Sequence, residues 1–121
     1  MPEYLIYFNQ PWVGDHTEEW FNSRGPLARA VVDEMKAAGV YVYAGGLEEL
    51  EDGAPIYHAD PTNGPVVVTD GPYIETKECL GGFALVNVVD DDAAKVWASK
   101  VAEACGWPHE VRRFKARSKL G

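Results

Sequence analysis

The order of apolar segments along the chain constrains its fold more than any other feature. Strand-like segments at residues 3–8 and 40–44 flank a stretch, residues 26–38, whose apolar side chains recur at helical spacing. A second strand, helix and strand follow over residues 83–114. Two such units separated by a hairpin predict an α+β domain with the split β-α-β arrangement of ferredoxin-like proteins.

Residues that cap or break helices set the expected helix ends. Asp15 and Glu18 have the spacing of a capping box, which predicts a helix start, and Gly25-Pro26 predicts an interruption before the longer helix. Three consecutive aspartates at positions 90–92 predict the start of the second long helix. The unpaired N–H groups and the dipole at a helix start favour negative charge.

A hairpin and a charged turn are expected between the two units. The β-favouring segments 55–59 and 66–69 flank a run of turn formers, which predicts the hairpin. The second segment leads into Asp-Gly-Pro at residues 70–72, and a turn of this kind, followed by charged residues, can hold a site. The glycine pairs at 45–46 and 81–82 are interpreted as turns and bends.

Size and charge restrict the class of protein. The 121 residues are expected to form one domain over residues 1–121, with residues 115–121 as a basic tail. A net charge of −8 would repel a phosphate backbone, so we predict no nucleic-acid partner.

The expected location is the cytoplasm. No apolar run approaches the roughly 18 residues that a membrane-spanning helix needs, and the first residues do not resemble a signal peptide. Cys79 and Cys105 are too few for a disulfide framework, and free thiols suit a reducing compartment. A single bridge between these two cysteines is the alternative.

The predicted sheet has one face covered by two helices and one face without cover. Strands this rich in Tyr and Val would leave a large apolar surface in water. We therefore predict a homodimer in which two sheets pack face to face.

The segment from Val68 to Phe83 resembles the signature of DGPF-domain proteins, a branch of the YCII-related superfamily. This resemblance implies a dimeric α+β barrel and an activity that is largely unassigned. The chain departs from the signature at Tyr73, where the family usually has Phe. Some YCII-like members have a proposed His–Asp pair with the histidine near the start of the first long helix, but residues 24–29 contain no histidine, so the pair is not transferred.

Asp70 and Lys77 are the candidate catalytic residues. Asp70 has two interpretations: its carboxylate accepts N–H bonds within the turn, or it acts as a general base at the mouth of a cleft. Lys77 would bind an anionic substrate if its ammonium faces that cleft.

The candidate ligand-binding residues are four tyrosines and one glutamate. For Tyr41, Tyr43 and Tyr57, packing at a dimer interface is the alternative to lining a pocket. The set is Tyr41, Tyr43, Tyr57, Tyr73 and Glu75.

No metal or cofactor is predicted. The histidines at 16, 58 and 109 lack the close spacing of a local metal-binding motif, and His58 with Asp60 is the nearest ligand-like pair. Phosphate-loop and Cys-x-x-Cys motifs are absent from the sequence.

Two functional hypotheses follow, ahead of a metal-dependent enzyme. In the first, the protein binds a small organic molecule in a cleft between sheet and helix, with acid–base chemistry by Asp70 and Lys77. In the second, it is a non-catalytic regulatory module that offers the acidic loop 48–52 or the basic tail to a protein partner. The resemblance to a family associated with alternative sigma factors implies the second, and the sequence leaves open whether the protein is an enzyme.

Overall fold

A computed structural model of the protein describes residues 1–49, 57–70 and 79–116. Two α-helices, one 3-10 helix and six strands form this part of the chain. In chain order they are β1 (Glu3–Asn9), a 3-10 helix (Gln10–Trp12), α1 (Glu18–Ala37), β2 (Tyr41–Gly46), β3 (Tyr57–Asp60), β4 (Val67–Asp70), β5 (Leu80–Asn87), α2 (Asp91–Cys105) and β6 (Glu110–Arg113).

The main sheet has four antiparallel strands in the order β2-β5-β1-β6. This order places the two β-α-β units in one sheet, as the element pattern predicted, and it is consistent with a ferredoxin-like fold. Strands β3 and β4 pair with each other as a separate two-stranded sheet. The predicted hairpin is therefore confirmed as an insertion between the units.

The core lies between the two helices and one face of the main sheet. The largest fully buried side chains are those of Ile6 in β1, Met35 in α1, Val86 in β5, and Val88 just after β5. Because side chains alternate along a strand, Leu5 lies on the opposite face from Ile6.

Helix α1 is continuous, so the predicted interruption at Gly25-Pro26 is wrong. Pro26 lacks an N–H group to donate to the carbonyl of Asn22, but its ring is exposed and the helix continues past it. Burial of Val31 and Met35 on the far side of this point holds the helix to the sheet.

The N-cap of α1 is Thr17, so the capping box predicted from Asp15 is also wrong. The Thr17 hydroxyl oxygen accepts the Trp20 N–H at 3.1 Å, and Glu18 and Glu19 occupy the first turn. Thr17 is the residue whose extended backbone puts its side chain within reach of the free N–H groups.

The start and end predicted for the second long helix are confirmed. Asp90 is the N-cap of α2, and its Oδ1 accepts the Ala93 N–H at 2.9 Å. Asp91 does more than complement the dipole, because its Oδ1 accepts the Tyr4 hydroxyl at 2.5 Å and lies 3.6 Å from Arg113. The helix ends at Gly106, whose φ of 95° is readily adopted only by glycine.

Both glycine pairs lie inside strands, which corrects their interpretation as turns and bends. Gly45 and Gly46 end β2, and Gly81 and Gly82 lie near the start of β5. A Cβ on Gly82 would come within 3.0 Å of the Gly45 carbonyl oxygen and 2.9 Å of the Phe8 ring. Glycine is required there because two backbones and an aromatic ring approach one another closely.

The last strand, expected over residues 109–114, forms as β6 at the edge of the sheet beside β1. None of the helices among the described residues is both long and apolar enough to cross a bilayer.

Candidate ligand-binding cleft

A cleft of about 650 Å³ opens between α1 and the helix-facing side of the main sheet. Strands β1, β2 and β5 supply its floor, α1 supplies one wall, and the last turn of α2 with the segment before β6 closes one end. A space of this volume is within the range of roughly 300–1,000 Å³ that small-molecule sites occupy.

Phe8 forms part of the floor because β5 offers no side chains beneath it. A Cβ on Gly81 would lie 2.8 Å from Phe8 Cδ2, and a Cβ on Gly82 would lie 2.9 Å from Phe8 Cε1. The same Gly81 position is 3.1 Å from Gln10 Oε1. The glycine pair therefore makes room for a ring and an amide at the cleft.

Aromatic rings gather at the end of the cleft nearest β6. The ring of Phe8 lies 5.1 Å from that of Trp107 and 5.1 Å from that of His109, between ring centroids. Phe21 of α1 adds a fourth ring, 6.4 Å from Trp107. Within the part of the chain that is described, Trp107 Nε1–H is buried without an acceptor.

His109 has a defined tautomer in this surrounding. Its Nδ1 lies 2.9 Å from the Trp107 carbonyl oxygen, and a carbonyl can only accept, so the proton resides on Nδ1. Burial lowers the pKa of His109 below its ordinary value of 6.5, and the hydrogen bond to the Trp107 carbonyl partly opposes this shift. The imidazole is therefore neutral near pH 7, with a lone pair on Nε2.

Charged groups line the α1 wall and the rim. Arg29, Asp33 and Lys36 are spaced to lie on one side of the helix, and all three are exposed. Arg29 forms no ion pair with any residue that the structure describes. Across the cleft, Glu49 accepts a long hydrogen bond of 3.5 Å from the Gln10 amide.

Cys105, the last residue of α2, contributes a free thiol to the lining. Burial raises the pKa of this thiol, and the nearby Arg24 guanidinium acts in the opposite direction. The thiol is thus protonated at neutral pH and acts as a small apolar group. Cys79 is free as well.

A second aromatic group joins the start of α1 to the end of α2. The rings of His16 and Trp20 stack with centroids 3.6 Å apart, and the Arg24 guanidinium lies 4.7 Å from the Trp20 ring. A Cβ on Gly106 would come within 2.7 Å of the Trp20 ring and 3.4 Å of Arg24 Nε. Gly106, which ends α2, is therefore also the residue against which the Trp20 ring of α1 packs.

The described tyrosines of the predicted ligand set do not line this cleft. Tyr41 packs beside the core with the Lys36 ammonium 5.0 Å from its ring. Tyr43 pairs in register with Leu85 on the face away from the helices and is 57% exposed. Tyr57 is exposed on the hairpin.

The remaining predicted site residues fall at or beyond the edge of the described chain. Asp70 is the last residue of β4, paired in register with Tyr57, and its side chain is outside the description. Tyr73, Glu75 and Lys77 lie outside the described residues. Of the surfaces predicted for a protein partner, residues 50–52 and 117–121 lie outside them too.

Sequence reasoning missed the residues that make the cleft distinctive. His109 lines the cleft, and Val111, two residues further along, packs on the core, so the two side chains share the face that is turned toward the helices. The Gly81-Gly82 pair was the available signal, because paired glycines within a strand indicate a close approach. No sequence motif indicates that residues 8, 29 and 109 line the same cleft.

The strand order and the cleft together define a small α+β domain of ferredoxin-like type with a cleft between helix and sheet. The chain belongs to the YCII-related domain family, whose model matches residues 22–107. This match confirms the superfamily that the segment from Val68 to Phe83 resembles. Among curated proteins, none matches the chain.

A metal centre finds no support in the described residues. In residues 1–49, 57–70 and 79–116, no group of three or more His, Cys, Asp or Glu side chains is arranged to hold a metal ion.

Proposed function

We propose that the protein binds a small organic molecule in the cleft between α1 and the main sheet. The observation that carries this proposal is the 650 Å³ space with aromatic rings at one end and a small number of polar groups along its wall. Apolar walls provide most of the binding free energy in such sites, while the few polar groups orient the ligand.

Acid–base chemistry by Asp70 and Lys77 is part of the same proposal. Its support is the charged turn in the sequence and the position of Asp70 at the end of β4. Glu75 and Tyr73, from the same turn, remain candidate ligand contacts.

A thermal-shift experiment tests binding in the cleft. The panel contains aromatic and aliphatic carboxylic acids, amides and phenols, and compounds that bind the native fold raise its midpoint temperature. Ala28 lines the cleft, so Ala28→Phe fills part of it, whereas Ala30 is exposed on the same helix and is not part of the lining. We expect ligand stabilisation in the native protein and in Ala30→Phe, and its loss in Ala28→Phe.

Stabilisation that survives in Ala28→Phe would place the ligand elsewhere. A panel with no effect on the native protein would argue against a small-molecule function and favour the regulatory alternative. That alternative, association with an alternative sigma factor, rests on the family resemblance alone.

We also propose that the protein is a homodimer whose sheets pack face to face. The face away from the helices carries apolar side chains from three adjacent strands: Leu5, Tyr7, Tyr43, Phe83 and Leu85. The rings of Tyr43 and Phe83 lie 6.1 Å apart on this face, and Tyr43 is largely exposed. A contiguous apolar patch of this kind is typical of a protein interface. Face-to-face pairing would form the dimeric barrel that the DGPF resemblance implies.

Membership of the DGPF branch and a cytoplasmic location complete the proposal. The segment from Val68 to Phe83 supports the first, and the free thiols of Cys79 and Cys105 support the second.

A further inference from the structure

We propose that His109 selects the ligand of the cleft, its Nε2 accepting a hydrogen bond from a hydroxyl or N–H group on an aromatic molecule. This inference rests on the proposed function, because it specifies the ligand class for the same site. It assigns a role to a residue outside the charged sequence segment of residues 70–78.

The acceptor character of His109 follows from its fixed tautomer. Nδ1–H donates to the Trp107 carbonyl at 2.9 Å, so in the neutral ring the lone pair is on Nε2. Within the described part of the chain, no hydrogen bond from a protein donor reaches Nε2. An acceptor that lines a cleft and has no protein partner is available to a ligand or to water.

The orientation of His109 is set by the rings around it. Phe8 lies 5.1 Å away on one side, and the Trp107 ring lies 6.4 Å away, nearly parallel at 12°. Together with the hydrogen bond to the Trp107 carbonyl, these contacts leave the imidazole little freedom to rotate. An acceptor held in place loses less entropy on binding than a flexible one.

The chemistry of the lining specifies an aromatic ligand with a proton donor. Phe8, Phe21 and Trp107 offer ring faces and edges at the same end of the cleft as His109, which suits a planar ligand. The other titratable groups on the lining belong to other elements and lie on the wall, rim or last turn of α2: Arg29, Asp33, Lys36, Glu49 and Cys105. The two carboxylates among them are exposed, and water competes for their hydrogen bonds, whereas His109 is half-buried.

Two matched probes test the donor requirement in the native, full-length chain. 4-Methylphenol has a hydroxyl donor, and 4-methylanisole has the same substituted ring with the hydroxyl hydrogen replaced by a methyl group, so that it has no donor. We expect the hydroxyl compound to bind about tenfold more tightly in an NMR titration, because one buried hydrogen bond contributes a free energy of about this size. Shifts at Gly81 and Gly82 amides report that the probe occupies the cleft.

Two substitutions separate the acceptor from the packing of the ring. In His109→Asn, the amide Nδ2 can still donate to the Trp107 carbonyl, but no acceptor stands at the position of Nε2. In His109→Gln, the longer amide reaches that position with its oxygen. We expect the two probes to bind the His109→Asn variant with equal affinity, and we expect the preference for the hydroxyl to return in His109→Gln.

The outcomes distinguish this inference from the proposed function. Equal affinities of the two probes for the native protein would overturn the role of His109 while leaving the cleft as a binding site. Imidazole ¹⁵N spectra that place the proton on Nε2 would overturn it without any ligand. A failure of the whole thermal-shift panel, by contrast, would remove the proposed function itself.

Discussion

The ring of Phe8 occupies the space that a side chain on Gly81 would need. Phe8 Cδ2 lies 2.8 Å from the position of a Gly81 Cβ, which is closer than real Cβ contacts come. The Phe8 ring can therefore form the floor of the cleft only while the residue at position 81 of β5 has no side chain.

Gly81→Ala should therefore destabilise the protein and disturb the cleft. Overpacking of this kind costs about 1–3 kcal/mol of unfolding free energy, because Phe8 must leave its position. Chemical denaturation measures the loss, and the ring-current shift of His109 protons reports whether Phe8 has moved. Gly46→Ala is the control, because a Cβ there meets nothing closer than 3.9 Å. Equal stability of the two variants would show that Phe8 moves aside without any loss of unfolding free energy.

The stability of the native protein should decrease as pH falls below about 6.5, in part through His109. Burial lowers the pKa of this histidine in the folded state, so between the folded pKa and 6.5 the unfolded chain binds a proton that the folded chain does not. Stability from this source is complete above 6.5 and is lost as pH falls through the folded pKa. Denaturation at several pH values should show a shallower slope for His109→Asn. An identical slope in both proteins would mean that His109 titrates normally.

A charge on the helix-free face of the sheet should separate the proposed dimer. Tyr43→Glu places a carboxylate on that face, on the edge strand β2, and burying an unpaired charge at an interface is unfavourable. Sedimentation should give twice the 13.3 kDa chain mass for the native protein and the single-chain mass for the variant. Val96→Glu on the exposed side of α2 is the control and should stay dimeric. A native protein that sediments as single chains at micromolar concentration would remove the dimer proposal.

Loss of the α2 cap should have a small, defined effect. Asp90→Ala removes the acceptor for the Ala93 N–H and should lower the unfolding free energy by about 1 kcal/mol. Asp90→Asn keeps an oxygen at the same position and should retain most of that stability. Thermal or chemical denaturation of the three proteins compares them directly. If alanine and asparagine are equally destabilising, charge rather than the cap bond is responsible.

The strands and the second helix were predictable because local patterns specify them, and their order along the chain predicted the split β-α-β arrangement. The apolar segment over residues 3–8, the aspartates before α2 and Gly106 after it each act within a few residues. The uninterrupted course of α1 through Pro26 was not predictable in this way. It depends on Val31 and Met35 packing against a sheet that forms from distant segments.

The cleft was predicted in kind but not in its residues. A site between sheet and helix followed from the fold class, whereas its aromatic end depends on contacts between residues about a hundred positions apart, as in Phe8 with His109. In the sequence, the glycine pair in β5 was the signal that indicated this arrangement. The roles of Asp70 and Lys77 stay predictions.

Helix α2 has two acidic residues in its first turn, after the N-cap Asp90, and no basic side chain in its last turn. Its C-terminal end instead lies beside Arg24, which reaches it from the first helix together with Trp20. The first helix thus supplies the positive charge that the end of α2 lacks, so fraying at the start of α1 removes the counter-charge at the end of α2. The two should melt as a single cooperative unit, with hydrogen-exchange rates that rise together along both.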